Sequence, residues 1–226
     1  MEKKKNDFIA QGSILAVASI LVRVMGMIYR IPMTAIIGDK GNGFYSYAYS
    51  VYTILLLLSS YSLPLAVSKM VSAKAQLGQW RNVKRVFICA IAFAIGIGTT
   101  FGLIVLIGAQ FFTRVFFHSE LAAIALRFMA PTILIMALLG VFRGFFQGLQ
   151  NTLPTAVSQI VEGLINAIMS VVFAYFLFDF GHGMDVASGT TDLGYAWGAA
   201  GGAIGTGAGA LAGLIFCFIL FVAYRK

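Results

Sequence analysis

"ILVRVMGMIYRIPMTAIIG", residues 20–38, decides the fold of this chain. The stretch is oily enough to cross a bilayer, yet it carries Arg23 and Arg30. An arginine at the centre of a membrane helix costs at least ~2.5 kcal/mol even on the lenient insertion scales, so it normally faces protein or water. Residues seven apart on a helix differ by only about 20° of rotation, which puts both arginines on one face. Ser19, Gly26 and Thr34 complete a small-and-polar stripe at i, i+4, i+7, i+11 and i+15. The segment reads as a spanning helix whose stripe lines an interior. At ~1.5 Å per residue from Phe8, Arg23 lies about 22 Å along and Arg30 about 33 Å along. Arg30 is then close enough to the outer boundary to snorkel outward, and Arg23 is not.

The rest of the chain agrees with a membrane solvent. Of 226 residues, 60% are hydrophobic and 11% charged, and the mean hydropathy is +0.91, outside the range of soluble domains. Six apolar runs, at 8–37, 44–67, 86–112, 121–142, 155–178 and 195–224, predict an all-α, polytopic bundle of six transmembrane helices. They form a single lobe covering 1–226. The start, "MEKKKNDFIAQGSILAVAS", imitates a signal peptide, but its apolar character runs on past Ala16-Val17-Ala18 to Ile37, which favours a retained first helix.

The net charge of +8 comes from short basic clusters between oily runs, the pattern of loops facing the cytoplasm and anionic membrane lipids, not of a nucleic-acid binder. With the N-terminus inside, the inner segments hold Lys3, Lys4, Lys5, Lys69, Lys74, Arg81, Lys84, Arg85, Arg143, Arg225 and Lys226, and the outer segments hold Lys40 and Arg114. The prediction is a multi-pass protein of the cytoplasmic membrane with both termini in the cytoplasm. Residues 179–194, "DFGHGMDVASGTTDLG", read as an acidic outer loop. Residues 68–85 put Met70, Val71, Leu77 and Trp80 among basic residues, which fits either a short helix on the inner surface or a solvated loop.

Polar residues recur inside other runs. Ser158, Glu162, Asn166 and Ser170 step by four along the fifth span, and Glu162, the acidic residue well within a span, is a candidate partner for Arg23 or Arg30. Ser46, Ser50, Thr53 and Ser60 share a face of the second span. The candidate cavity residues are therefore Arg23, Arg30, Glu162, Asn166, Ser50 and Thr53. Two fixed guanidiniums suit phosphate or carboxylate. In the sixth span Gly201, Gly205, Gly209 and Gly213 form a GxxxG ladder suited to close helix packing. Cys89 and Cys217 lie in apolar runs, and neither a metal-ligand set, a cofactor motif nor an enzyme signature is present, so the chain reads as a non-enzyme without cofactors.

"VRVMGMIYRIPMTAIIG" at 22–38, "SVYTILLLLSSYSLPLAVSKMVS" at 50–72 and "GVFRGFFQGLQNTLPTAVSQIVEG" at 140–163 resemble the polysaccharide-biosynthesis, SpoVB-like flippases, relatives of the MurJ/MviN lipid II flippases and of the MATE multidrug exporters. The R-G-x-x-Q-G-x-x-x-x-x-P pattern from Arg143 to Pro154 is the most specific part. The resemblance implies two six-helix lobes around a cavity that opens alternately to each side and carries an undecaprenyl-diphosphate-linked sugar. It places Arg23 and Arg30 at cavity-facing basic positions of the first helix, although seven residues separate them here where lipid II flippases have six. It also implies that the chain is the N-terminal lobe alone, the second lobe being absent, with a further lobe or a second copy as partner. Two other functions stay open: a MATE-type cation antiporter, which needs an intramembrane carboxylate, and a non-transporting scaffold for envelope or spore-coat assembly.

Overall fold

The computed structural model describes residues 2–224, with side chains described for 12–187 and 189–223. The side chains of Lys3, Lys4 and Lys5, and Arg225 and Lys226 altogether, lie outside the described residues. Six helices follow one another: α1 (Glu2–Ser60), α2 (Leu63–Gln76), α3 (Trp80–Phe117), α4 (Ala122–Gly148), α5 (Leu153–Ser188) and α6 (Leu193–Tyr224). The fold class is the helical membrane bundle predicted, because only internally hydrogen-bonded helices or closed barrels suit runs of this apolarity in lipid.

The expected six separate spans need correction. Among the described residues five helices are long and apolar enough to cross a membrane, because the first two predicted spans, parted only by a kink at Gly38, share α1. A straight helix of its 59 residues would be ~88 Å long, nearly three times a bilayer core. Gly38 breaks it, with φ 63° and ψ −177°, a conformation open essentially to glycine alone. Met33 and Tyr45 both pack on Gly202 of α6, though twelve residues of straight helix would hold them ~18 Å apart. The chain therefore reverses at Gly38 without a loop.

The second span departs again at its far end. The helix stops at Ser60 and restarts at Leu63, with Pro64 in the first turn of α2, a position where the missing N–H costs nothing. The 68–85 stretch is neither a single surface helix nor a loop: its first part is the end of α2, Gly78 turns the chain at φ 67°, and α3 begins at Trp80. Residues 179–188 continue α5 and are not loop, so His182 stands on a helix and stacks on Phe178 at 6.3 Å.

Two apolar cores lie one above the other along the bundle. The one nearer the Gly38 reversal gathers Met33, Ile37, Tyr45, Leu126, Met129, Ile133 and Ala203. The other, at the α2 end, gathers Val67, Val71, Phe87, Leu139, Phe142, Phe146 and Cys217. α5 and α6 share the largest interface, and the α6 glycines explain it. A Cβ on Gly201 would collide with the Ala174 backbone, one on Gly205 with Ser170, and one on Gly209 with the Glu162 carbonyl and Asn166. A second ladder, Gly140, Gly144 and Gly148 of α4, takes Pro64, Val67 and Val71 of α2 just as closely. Such contact is how membrane helices gain dispersion energy where lipid offers no hydrophobic drive.

Candidate functional site

The charged centre of the bundle is a pair that crosses from α4 to α5. Arg143 Nη2 donates to Glu162 Oε2 at 2.7 Å and its Nε donates to Ser158 Oγ at 2.9 Å. Ser158 in turn donates to the Thr155 carbonyl at 2.8 Å. The Arg143 side chain is 12% exposed and that of Glu162 is 24% exposed. α4 and α5 touch little elsewhere, so this ion pair, with the Thr155 hydroxyl donating to the Arg143 carbonyl at 3.5 Å, ties together two helices that each pack on α6. Its geometry is that of a charge-assisted hydrogen bond in a poorly solvated place.

This corrects the sequence-based expectation for Glu162. The carboxylate pairs with neither Arg23 nor Arg30. The physical reason is a competing partner: the Glu162 Cβ lies 3.5 Å from the position a Gly213 Cβ would take, on the α6 side of α5, and Arg143 of α4 engages the carboxylate at 2.7 Å. Among the described residues Arg143 is the only hydrogen-bond or ion-pair partner of Glu162. Sequence reading missed Arg143 because a charge ends an apolar window, which assigned it to a loop. The available signal was its place in the R-G-x-x-Q-G pattern, fifteen and nineteen residues ahead of Ser158 and Glu162.

Arg23 stands close by and is unpaired. The position of a Gly163 Cβ would lie 3.1 Å from Met25 Cε and 3.3 Å from Val22 Cγ1, so α5 meets α1 on either side of Arg23 and Arg23 is level with Glu162. Ala18, Val22, Met25, Tyr29 and Met33 form the inward stripe of α1, and at 100° per residue the Arg23 and Arg30 stripe lies roughly 100° around from it. Both arginines are exposed. Neither has a hydrogen-bond or ion-pair partner among the described residues. A groove of about 330 Å³ between α1 and α5, lined by Val17, Leu21, Ala156 and Ile160, opens on the other flank of α1, away from the arginines; its lining is apolar and suits acyl chains.

The remaining candidates divide. Ser170 Oγ donates to Asn166 Oδ1 at 2.8 Å, and the Gly202 carbonyl, 3.3 Å away, is a second acceptor for the same proton. Thr206 donates to that same carbonyl at 3.2 Å and lies 3.3 Å from the Tyr45 hydroxyl. Asn166 thus belongs to a polar seam that continues from Glu162 along α5 into α6 and α1. Ser50 and Thr53 do not join it. Their hydroxyls donate to the Ser46 and Tyr49 carbonyls of their own helix, at 2.8 and 2.7 Å, the usual way a hydroxyl is satisfied on an exposed helix face in lipid.

The family model for polysaccharide biosynthesis protein matches residues 8–225. The chain is 26% identical over 223 residues to stage V sporulation protein B of Bacillus subtilis (strain 168), covering 98% of this chain and 40% of that protein. It is 26% identical over 200 residues to the lipid II flippase MurJ of the same organism, covering 84% of this chain and 37% of MurJ. It is also 27% identical over 174 residues to the uncharacterized membrane protein YabM of that organism, covering 76% and 32%. The chain therefore spans about two-fifths or less of the length of these curated relatives. No solved structure matches it. A multi-pass helical bundle, matched over nearly its whole length by one family model, belongs to the polysaccharide biosynthesis protein family.

Proposed function

We propose that this chain forms one lobe of a flippase that moves an anionic lipid-linked saccharide across the cytoplasmic membrane, with Arg23 holding the phosphate groups and Arg30 meeting them nearer the far surface. The observation that carries this reading is a charge imbalance at membrane depth. Glu162 is the carboxylate within the predicted spans, and it is already neutralised by Arg143. Arg23, level with it, has no counter-ion among the described residues. An unpaired buried-depth guanidinium is costly unless water or an anion meets it, and phosphate meets it bidentately. The name of one relative, a lipid II flippase, fits such a passenger.

A single lobe supplies one wall of a chamber. Further chain, or a second copy, supplies the other, and rocking of the two walls exposes the arginines to each side in turn. The basic corner between α2 and α3 faces the cytoplasm, both termini lie on that side, and Asp179, Asp185 and Asp192 lie outside. The cation-antiporter alternative is less well supported, since its one candidate carboxylate is held in an ion pair.

The test is binding of undecaprenyl diphosphate to the chain in nanodiscs, with undecaprenol as the uncharged control. Arg23→Gln should weaken the diphosphate by about tenfold or more, the loss of one charged hydrogen-bonding group, and leave undecaprenol unchanged. Equal diphosphate affinity in Arg23→Gln would overturn the proposal and favour a scaffold, in which changes on the polar stripe are silent.

A further inference from the structure

We infer that Arg143 is a positioning residue for the anion site: by holding Glu162 on the α6 side of α5, it keeps the carboxylate away from Arg23 and leaves Arg23 free for phosphate. This rests on the reading of Arg23 given above and deepens it.

Three observations carry it. First, Arg23 and Glu162 are level on adjacent helices, because Val22 and Met25 flank Gly163 at 3.3 and 3.1 Å from its would-be Cβ. An arginine and a carboxylate so placed attract one another, so Arg23 and Arg143 are rival partners for Glu162. Second, Arg143 is the partner that prevails: it grips Glu162 at 2.7 Å and is itself steadied by Ser158 at 2.9 Å, from the preceding turn of the same α5 face. Third, no other described residue hydrogen-bonds Glu162. Removing the Arg143 charge leaves Glu162 a carboxylate without a partner among the described residues, with the unpaired Arg23 level with it on the adjacent α1. Glu162 then competes with the passenger's phosphate for the same guanidinium. Glu162 is accordingly not a ligand for the passenger, and Arg143 shapes selectivity without touching it.

The experiment uses the same nanodisc binding of undecaprenyl diphosphate, with four variants and a thermal melt of each. Arg143→Gln should weaken binding by about tenfold, comparable to Arg23→Gln, as expected when one charged contact is lost to a competitor. Arg143→Gln with Glu162→Gln should restore binding to within about threefold of the parent. Glu162→Gln alone should bind at least as well as the parent. Where Arg143→Gln does not fold, the Glu162→Gln result decides: a loss of affinity there overturns the inference. Failure of the double variant to regain binding while remaining folded overturns it too, because a merely structural brace would stay broken. A silent Arg23→Gln instead removes the underlying reading, whereas a damaging Arg23→Gln beside a silent Arg143→Gln removes this inference alone.

Discussion

Asp185, near the end of α5, closes the start of α6. Its Oδ1 accepts from the Thr190 hydroxyl at 2.7 Å and from the Leu193 amide at 3.0 Å, and its Oδ2 accepts from the Gly194 amide at 2.8 Å. These amides belong to the helix-start donors that have no partner within α6. Burial works to raise the carboxyl, but the Thr190, Gly194 and Leu193 bonds, with His182 nearby, together hold it below the ordinary carboxylate range. A carboxylate lowered by folding adds stability that is complete above its unfolded value, near 4, and is lost as pH falls through its folded value. Thermal melts between about pH 6 and pH 3 should therefore show an acid-induced loss that Asp185→Asn removes. Equal acid sensitivity in both proteins would count against this cap. Single residues of this kind were the least legible part of the sequence. The arginine stripe of the first helix could be found from spacing alone, because helical rotation is fixed. The partner of Glu162 could not, because Arg143 comes from another helix, and spacing says nothing of which distant face arrives beside it. Asp185 was hidden differently: an acidic, glycine-containing stretch looks like loop until its side chain is seen to cap the next helix.

At the scale of the helix, small residues set how closely the elements approach. The α6 ladder could be read from its four-residue repeat, since glycine leaves a flat strip. The equivalent α4 strip, Gly140, Gly144 and Gly148, lies in the R-G-x-x-Q-G stretch and was overlooked there behind the charge. The two strips make a sharp comparison with Gly26, whose would-be Cβ meets nothing within 4 Å. Gly205→Leu and Gly144→Leu should lower the folded yield and the melting temperature severely, as overpacking against backbone does, by about 3 kcal/mol or more. Gly26→Ala should change the stability by no more than about 1 kcal/mol. A tolerated Gly205→Leu would mean that α5 and α6 pack less closely than described. The break between Ser60 and Leu63 was also beyond sequence reading, because apolar residues continue through it and hydropathy does not register one unwound turn.

For the whole molecule, the six apolar runs gave the class of fold directly, since membrane solvent permits few alternatives. Their ends were less legible, because helices continue past the membrane where polar residues find water: α3 extends from Trp80 to Phe117 around a run read as 86–112. The proposed orientation is testable on the intact chain. With exposed Cys89 and buried Cys217 both replaced by Ala, single cysteines at Lys40, Ser119 and Thr191 should react with an impermeant maleimide from outside cells, and one at Gln79 only after permeabilisation. The reverse pattern would invert the molecule. At the outer corner Lys40 donates to Asp192 at 3.0 Å and lies over the Tyr195 ring. The Asp192 carboxylate raises the Lys40 ammonium above its ordinary range.

The turn at Gly38 has a mechanical meaning. With one residue outside helical geometry and Met33, Ile37 and Tyr45 all seated on α6, there is no slack with which the arginine-bearing rod could tilt while its neighbour stayed still. The two limbs must swing as a rigid elbow, so any displacement of the arginine-bearing limb carries the tyrosine-lined limb along in the same movement.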